Sequence, residues 1–230
     1  MKTIGLLGGM SWESSLEYYR LVNEGVKKRL GGLHSAKVAM VSVDFEPIEK
    51  MQHAGDWPAA ADALIDAAKR IEAAGADFLL ICTNTMHKVA DEVAGAIGIP
   101  LLHIVDAAAE AVKSQGLTKI GLLGTQFTMT EDFYGGRLRK KHGIEVAIPD
   151  EHDRETVHRV IYKELCLGVI RDESRQQYVR IIDDLASRGA EGVVLGCTEI
   201  PMLVGPDDVD IPLFDTTALH VEAALTRALS

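Results

Sequence analysis

Apolar and polar positions fall into blocks along this chain. Short apolar runs, Ile4-Gly5-Leu6-Leu7-Gly8, Val38 to Phe45, Leu79-Leu80-Ile81 and Ile99 to Val105, end in glycines, polar residues or a thiol. Unbroken runs of this length predict strands buried on both faces, as in parallel sheets. Helix-length segments separate them: about Ser15 to Leu30, Pro58 to about Ala73, a segment from the Cys82 turn to about Ala96, and one opening at Asp106. Ser11 or Ser14 can cap the first helix and Gly31-Gly32 can end it. Glu46 to Asp56 reads as a polar loop. The alternation predicts an α/β fold of parallel βαβ units with right-handed crossovers.

The pattern then begins again. Ile120-Gly121-Leu122-Leu123-Gly124 repeats Ile4 to Gly8, Cys197-Thr198 repeats Cys82-Thr83, and Ile211-Pro212-Leu213 echoes Ile99-Pro100-Leu101, at offsets of 116, 115 and 112 residues. Three landmarks in one order at near-constant spacing imply an internal duplication. The expected architecture is two pseudo-symmetric α/β domains, 1–115 and 116–230, with the last helix free to pack back on the first half. No low-complexity linker separates them, so a ligand site in the cleft between them is expected. A further helix is expected from about Arg154 to Leu167.

Composition narrows the class. The 230 residues carry a net charge of −10 with 47% hydrophobic and 25% charged residues, as in ordinary globular proteins. The acidic balance and the lack of a Lys/Arg cluster argue against nucleic acid and anionic membranes as partners. No apolar stretch reaches the length of a bilayer span. The first residues run straight into a strand pattern without a signal-peptide core, so a cytoplasmic location is expected. Three cysteines, an odd number, do not suggest a disulfide framework.

The chemistry centres on two of those cysteines. Cys82 and Cys197 each end an apolar run, precede a threonine and occupy equivalent points of the repeat. That places them at the carboxyl edge of a sheet, where open α/β folds bind ligands. The amides of a following helix are expected to lower each thiol's pKa. Cys166 lies in a helical pattern and reads as a small core hydrophobe. No metal-ligand spacing accompanies either thiol, and Gly5-x-x-Gly8-Gly9 does not fit a dinucleotide fingerprint. Two opposed thiols suit proton transfer from one face of a carbon to the other, with turn amides stabilising an enediolate. A redox dithiol is the alternative reading. Asn84 reads equally as a helix cap or a ligand contact, Glu199 as a first-turn carboxylate, Lys163 as part of a solvated face and His87 as a capping or supporting residue. Trp12 and Trp57 read as core or interface anchors.

Gly8-Gly9-Met10-Ser11-Trp12-Glu13-Ser14, Cys82-Thr83-Asn84-Thr85-Met86-His87 and Gly196-Cys197-Thr198-Glu199 resemble the aspartate/glutamate racemase family, closest to its broad-specificity amino-acid racemases. The resemblance spans essentially the whole chain. It implies a racemase acting on a small amino-acid substrate, with no pyridoxal phosphate or other cofactor, no metal and commonly a homodimer. By that likeness Cys82 and Cys197 are the acid/base pair, and Met10, Gln52, Thr83, Asn84, Thr85, Thr125, Lys163 and Thr198 contact the substrate. Aspartate-specific relatives carry an arginine in the loop after the second strand, and Glu46 to His53 has none. Glutamate or a wider set of amino acids is therefore equally open. A cis-trans isomerase or decarboxylase of a small dicarboxylic acid and a non-catalytic amino-acid-binding protein are the competing readings.

Overall fold

The computed structural model describes residues 1–230. In chain order the strands are β1 (Ile4–Gly8), β2 (Val38–Ser42), β3 (Phe78–Ile81), β4 (Lys119–Gly124), β5 (Glu145–Ala147), β6 (Val193–Gly196) and β7 (Leu213–Asp215). The helices are α1 (Trp12–Leu30), α2 (Phe45–Ala54), α3 (Trp57–Ala73), α4 (Ala90–Gly95), α5 (Ile104–Ser114), α6 (Gln126–Thr130), α7 (Asp132–His142), α8 (Glu151–Lys163), α9 (Asp172–Ser187) and α10 (Thr216–Leu229). No helix is long and apolar enough to cross a membrane.

The chain divides into two compact units, one of residues 1–104 with 220–230 and one of residues 105–219. This division differs from equal halves split at 115. Helix α5 belongs to the second unit because Asp106 near its start is bound by Arg137, Lys141 and His142 of α7. Most of α10 belongs to the first, where Val221, Ala224, Leu225 and Ala228 enter a core with Tyr18 and Val22 of α1.

In the first unit a parallel sheet runs in the order β2-β1-β3, with Ile4 level with Val38 on one side and Phe78 on the other. Every residue of β1 and β3 is buried, which accounts for their unbroken apolar sequences. Ser11 caps α1 by accepting from Ser14 N–H, Glu13 sits in its first turn, and Lys27, Lys28 and Arg29 sit in its last. Two expectations fail here. The Glu46–Asp56 loop is instead helix α2, capped by Asp44, laced by a Glu46–Lys50 ion pair and stopped by Gly55 at φ 72°. Its buried positions, Ile48 and Gln52, are four apart, an apolar stripe too thin to stand out among charges. The Ile99–Val105 strand reduces to one bridge, Leu79 to Leu101, because Pro100 brings no N–H to the ladder and α5 starts at Ile104.

The second unit has a parallel sheet in the order β5-β4-β6-β7. It repeats β2-β1-β3 and the Leu101 bridge position for position, so the duplication is visible in topology as well as in sequence. Helix α8 begins at Glu151, capped by Asp150, and ends at Lys163, with a separate short turn over Leu165–Leu167.

Candidate active site

Each parallel sheet carries a Cys-Thr pair and the turn of its first strand at its carboxyl edge. In the first unit, Cys82 follows β3 directly and its N–H still bonds Leu7 O of β1 at 2.9 Å. The β1 turn reaches across to it: Ser14 Oγ donates to Cys82 O at 2.9 Å. Gly9, at φ 96°, starts the turn that carries Met10, and its N–H donates to Ser15 Oγ at 2.7 Å. Gln52 of α2 is buried and donates from Nε2 to Met86 Sδ at 3.0 Å, which ties α2 to the turn after Cys82. Met10, Gln52, Cys82, Thr83, Asn84 and Thr85 are thus buried residues of adjoining segments.

The segment after Cys82 is not the long helix expected. A tight 3₁₀ turn, Thr85–Val89, precedes the six-residue α4. Asn84 makes no side-chain cap on that turn, so the capping alternative falls. Burial pushes the Cys82 thiol well above its usual range, which overturns the lowering expected from helix amides. The thiol has no solvent exposure, and the loss of hydration outweighs the weak field of so short a turn.

The second unit repeats the arrangement with different partners. Gly124 ends β4 level with Gly196 at the end of β6, so Thr125 and Cys197 leave neighbouring strands together. A side chain on Gly124 would come within 2.8 Å of Gly196 O, which explains glycine where the two turns diverge. Thr125 caps α6, its Oγ1 accepting from Thr128 N–H at 3.3 Å. Cys197 Sγ donates to Glu199 Oε2 at 2.9 Å, and Thr198 Oγ1 donates to the same oxygen at 2.8 Å. Burial first, then the Glu199 carboxylate, hold the Cys197 thiol well above its usual range. Lys163 is the last residue of α8 and is exposed, as the solvated-face reading has it.

Glu199 is the functional candidate that sequence reasoning missed. Its carboxylate makes no cap on the following turn and serves the thiol instead. The signal was its place two residues after Cys197, which fits a first-turn carboxylate equally well. Cys166 is half-buried against the second core, as a small hydrophobe would be. Trp12 is 64% exposed and so is no core anchor, whereas Trp57 packs on the first core under Lys88 Nζ at 3.9 Å.

Comparisons place this geometry among known proteins. The family model for Asp/Glu/hydantoin racemases matches residues 7–224. A Yersinia pestis structure solved as a candidate Asp/Glu racemase is 56% identical with a TM-score of 0.94, each chain covered in full. An aspartate racemase homologue from Pyrococcus horikoshii is 35% identical with a TM-score of 0.87, again over all of both chains. The broad-specificity amino-acid racemase RacX of Bacillus subtilis is 24% identical over 99% of this chain and 98% of its own. With a matching family model over nearly all its length and two Cys-Thr turns on sheets of matching strand order, the chain belongs to the Asp/Glu/hydantoin racemase family, a family of isomerases.

Proposed function

We propose that the chain is a cofactor-independent amino-acid racemase in which Cys82 and Cys197 exchange a proton at the substrate's α-carbon. One observation carries the reading: both thiols end equivalent strands, β3 and β6, of sheets with the same strand order. A symmetric reaction needs two groups of one kind, and the duplicated fold supplies a thiol from each half.

The proton balance is simple. A thiolate removes the α-proton from one face, leaving a carbanion delocalised into the carboxylate. The other thiol delivers its proton to the opposite face and becomes the thiolate. The reverse reaction starts from that state. Amides of the Thr83–Thr85 and Thr198–Glu199 segments and the hydroxyls of Thr83, Thr85 and Thr125 are the donors assigned to the substrate carboxylate. Met10, Gln52 and Asn84 complete the ligand contacts, and Lys163 is assigned a polar group of the substrate.

Both thiols are raised in pKa, so a thiolate must be made when it is needed. Glu199 is hydrogen-bonded to take the proton of Cys197. An amino-acid substrate brings an ammonium group, and an opposite charge within a few ångströms favours the thiolate. The missing arginine in the α2 segment favours a range of amino acids, as the likeness to RacX also does. The family likeness further supports a homodimer working in the cytoplasm.

The experiment is a screen of L- and D-amino acids for optical inversion by dialysed protein in EDTA. Inversion of at least one amino acid without added cofactor is expected. Activity that appears only with pyridoxal phosphate or a divalent metal contradicts the reading.

A further inference from the structure

In the first unit Tyr18, His220 and Leu102 O form one buried hydrogen-bonded run and Ile104 N–H, His87 and Thr83 O another, the two joined through the chain from Leu102 to Ile104 and ending at the Cys82 turn. His87 Nδ1 lies 2.8 Å from Thr83 O, and Ile104 N–H donates to His87 Nε2 at 3.2 Å. A backbone N–H can only donate, so Nε2 must carry a lone pair and the ring's proton must sit on Nδ1. Nδ1–H then donates to Thr83 O. A doubly protonated ring is excluded, because its Nε2–H would face the Ile104 N–H.

The start of α5 is braced in turn. His220 of α10 donates from Nε2 to Leu102 O at 2.8 Å and accepts at Nδ1 from Tyr18 O–H of α1 at 2.9 Å. Leu102 N–H bonds Leu79 O of β3 at 2.9 Å. The rings of His103 and His220 stand 4.5 and 5.9 Å from that of His87, so the imidazole has little room to turn. Tyr18 and His220 have no exposure, and His87 is 3% exposed.

Around Cys82 the backbone is therefore tied at three successive groups. Its N–H goes to Leu7 O, its C=O to Ser14 Oγ, and the next C=O to His87. We propose that His87, locked in its Nδ1–H form by Ile104 and braced through His220, is a positioning residue that aims the Cys82 thiol and the amides of the Thr83–Thr85 turn. The proposal rests on the racemase reading for what the thiol does, but not for how it is held. Small misplacements are costly in such chemistry, about a hundredfold for 1 Å.

Two measurements test it. The first needs no activity and no variant: histidine ¹⁵N spectra of the full-length protein at neutral pH, with His87 assigned through its backbone. The expected result is a protonated Nδ1 and an unprotonated Nε2. A ring protonated on Nε2, or averaging between tautomers, overturns the proposal whether or not the protein racemises anything. The second compares His87→Asn with His87→Gln. The Asn amide can replace Nδ1–H toward Thr83 O, whereas the Gln amide reaches the Ile104 N–H and abandons Thr83. His87→Asn is expected to keep kcat within about fivefold and His87→Gln to lose at least about tenfold, with KM within about twofold in both. A folded His87→Gln with wild-type kcat, or losses in both that match only a reduced folded fraction, overturns it. If neither variant folds, the tautomer decides. Absence of racemisation by wild-type protein with every amino acid would instead defeat the racemase reading.

Discussion

Cys197 and Glu199 share a hydrogen bond of 2.9 Å within one turn, thiol to carboxylate. The carboxylate acts on the thiol in two opposed ways. Its negative charge makes the thiolate harder to form, and its oxygen is placed to receive the proton when the thiolate does form. Glu199→Gln removes both effects. Thiolate absorbance should show Cys197 ionising at lower pH, while kcat/KM falls about ten- to hundredfold, the worth of one hydrogen bond to a charged group. An unmoved thiol titration with unchanged kinetics would return Glu199 to a structural role.

Lys163 ends α8 exposed to solvent, and the proposed function assigns it to a polar group of the substrate. Lys163→Ala should lower kcat/KM by about tenfold or more without shifting the melting temperature by more than a degree or two. Steady-state kinetics with the best amino acid from the screen check this. Unchanged kinetics would remove that assignment.

Much of this was legible before any coordinates. The fully buried strands β1 and β3 read directly as strands because both faces are covered and no polar residue interrupts them. The duplication was legible because strand ends, each followed by a Cys-Thr pair, repeat at near-constant spacing. Helix α2 was not, since charged Glu46, Glu49 and Lys50 hide its two buried positions. The His220–Leu102 bond spans 118 residues, and no local pattern announces it. The lowered thiol pKa expected for Cys82 reversed for a physical reason: complete burial outweighs the dipole of a one-turn helix.

Ser14 tests the coupling of the two turns in the first unit. Ser14→Ala leaves the buried Cys82 carbonyl without this donor, at a cost of about 1–3 kcal/mol. Denaturant unfolding should show a lower midpoint with an unchanged slope. A wild-type midpoint would mean that the turns are held by other contacts.

His220 gives the fold a defined pH response. Burial lowers its pKa from 6.5 to about 4. Unfolded chains bind a proton in that window and the folded protein does not, so this contribution is complete above pH 6.5 and is lost as pH falls toward 4. By pH 5 the loss is on the order of 2 kcal/mol. His220→Gln should be less stable at pH 7, yet the gap between it and wild type should narrow by about that amount at pH 5. Denaturant midpoints at the two values measure the gap, and a constant gap would contradict a neutral, buried His220.

The central claim is that two thiols serve opposite faces of one carbon, and isotope exchange in D₂O tests it most directly. Wild-type protein should place deuterium in the product enantiomer early, with little in the recovered substrate. Cys82→Ser and Cys197→Ser should each lose racemisation by several orders of magnitude, because a hydroxyl is a far weaker base than a thiol of ordinary pKa about 8.5. Each variant should still exchange the α-proton of one enantiomer, and the two should differ in which one. A serine variant that racemises at nearly the wild-type rate, or wild-type product that regains the substrate's own proton, would contradict the account.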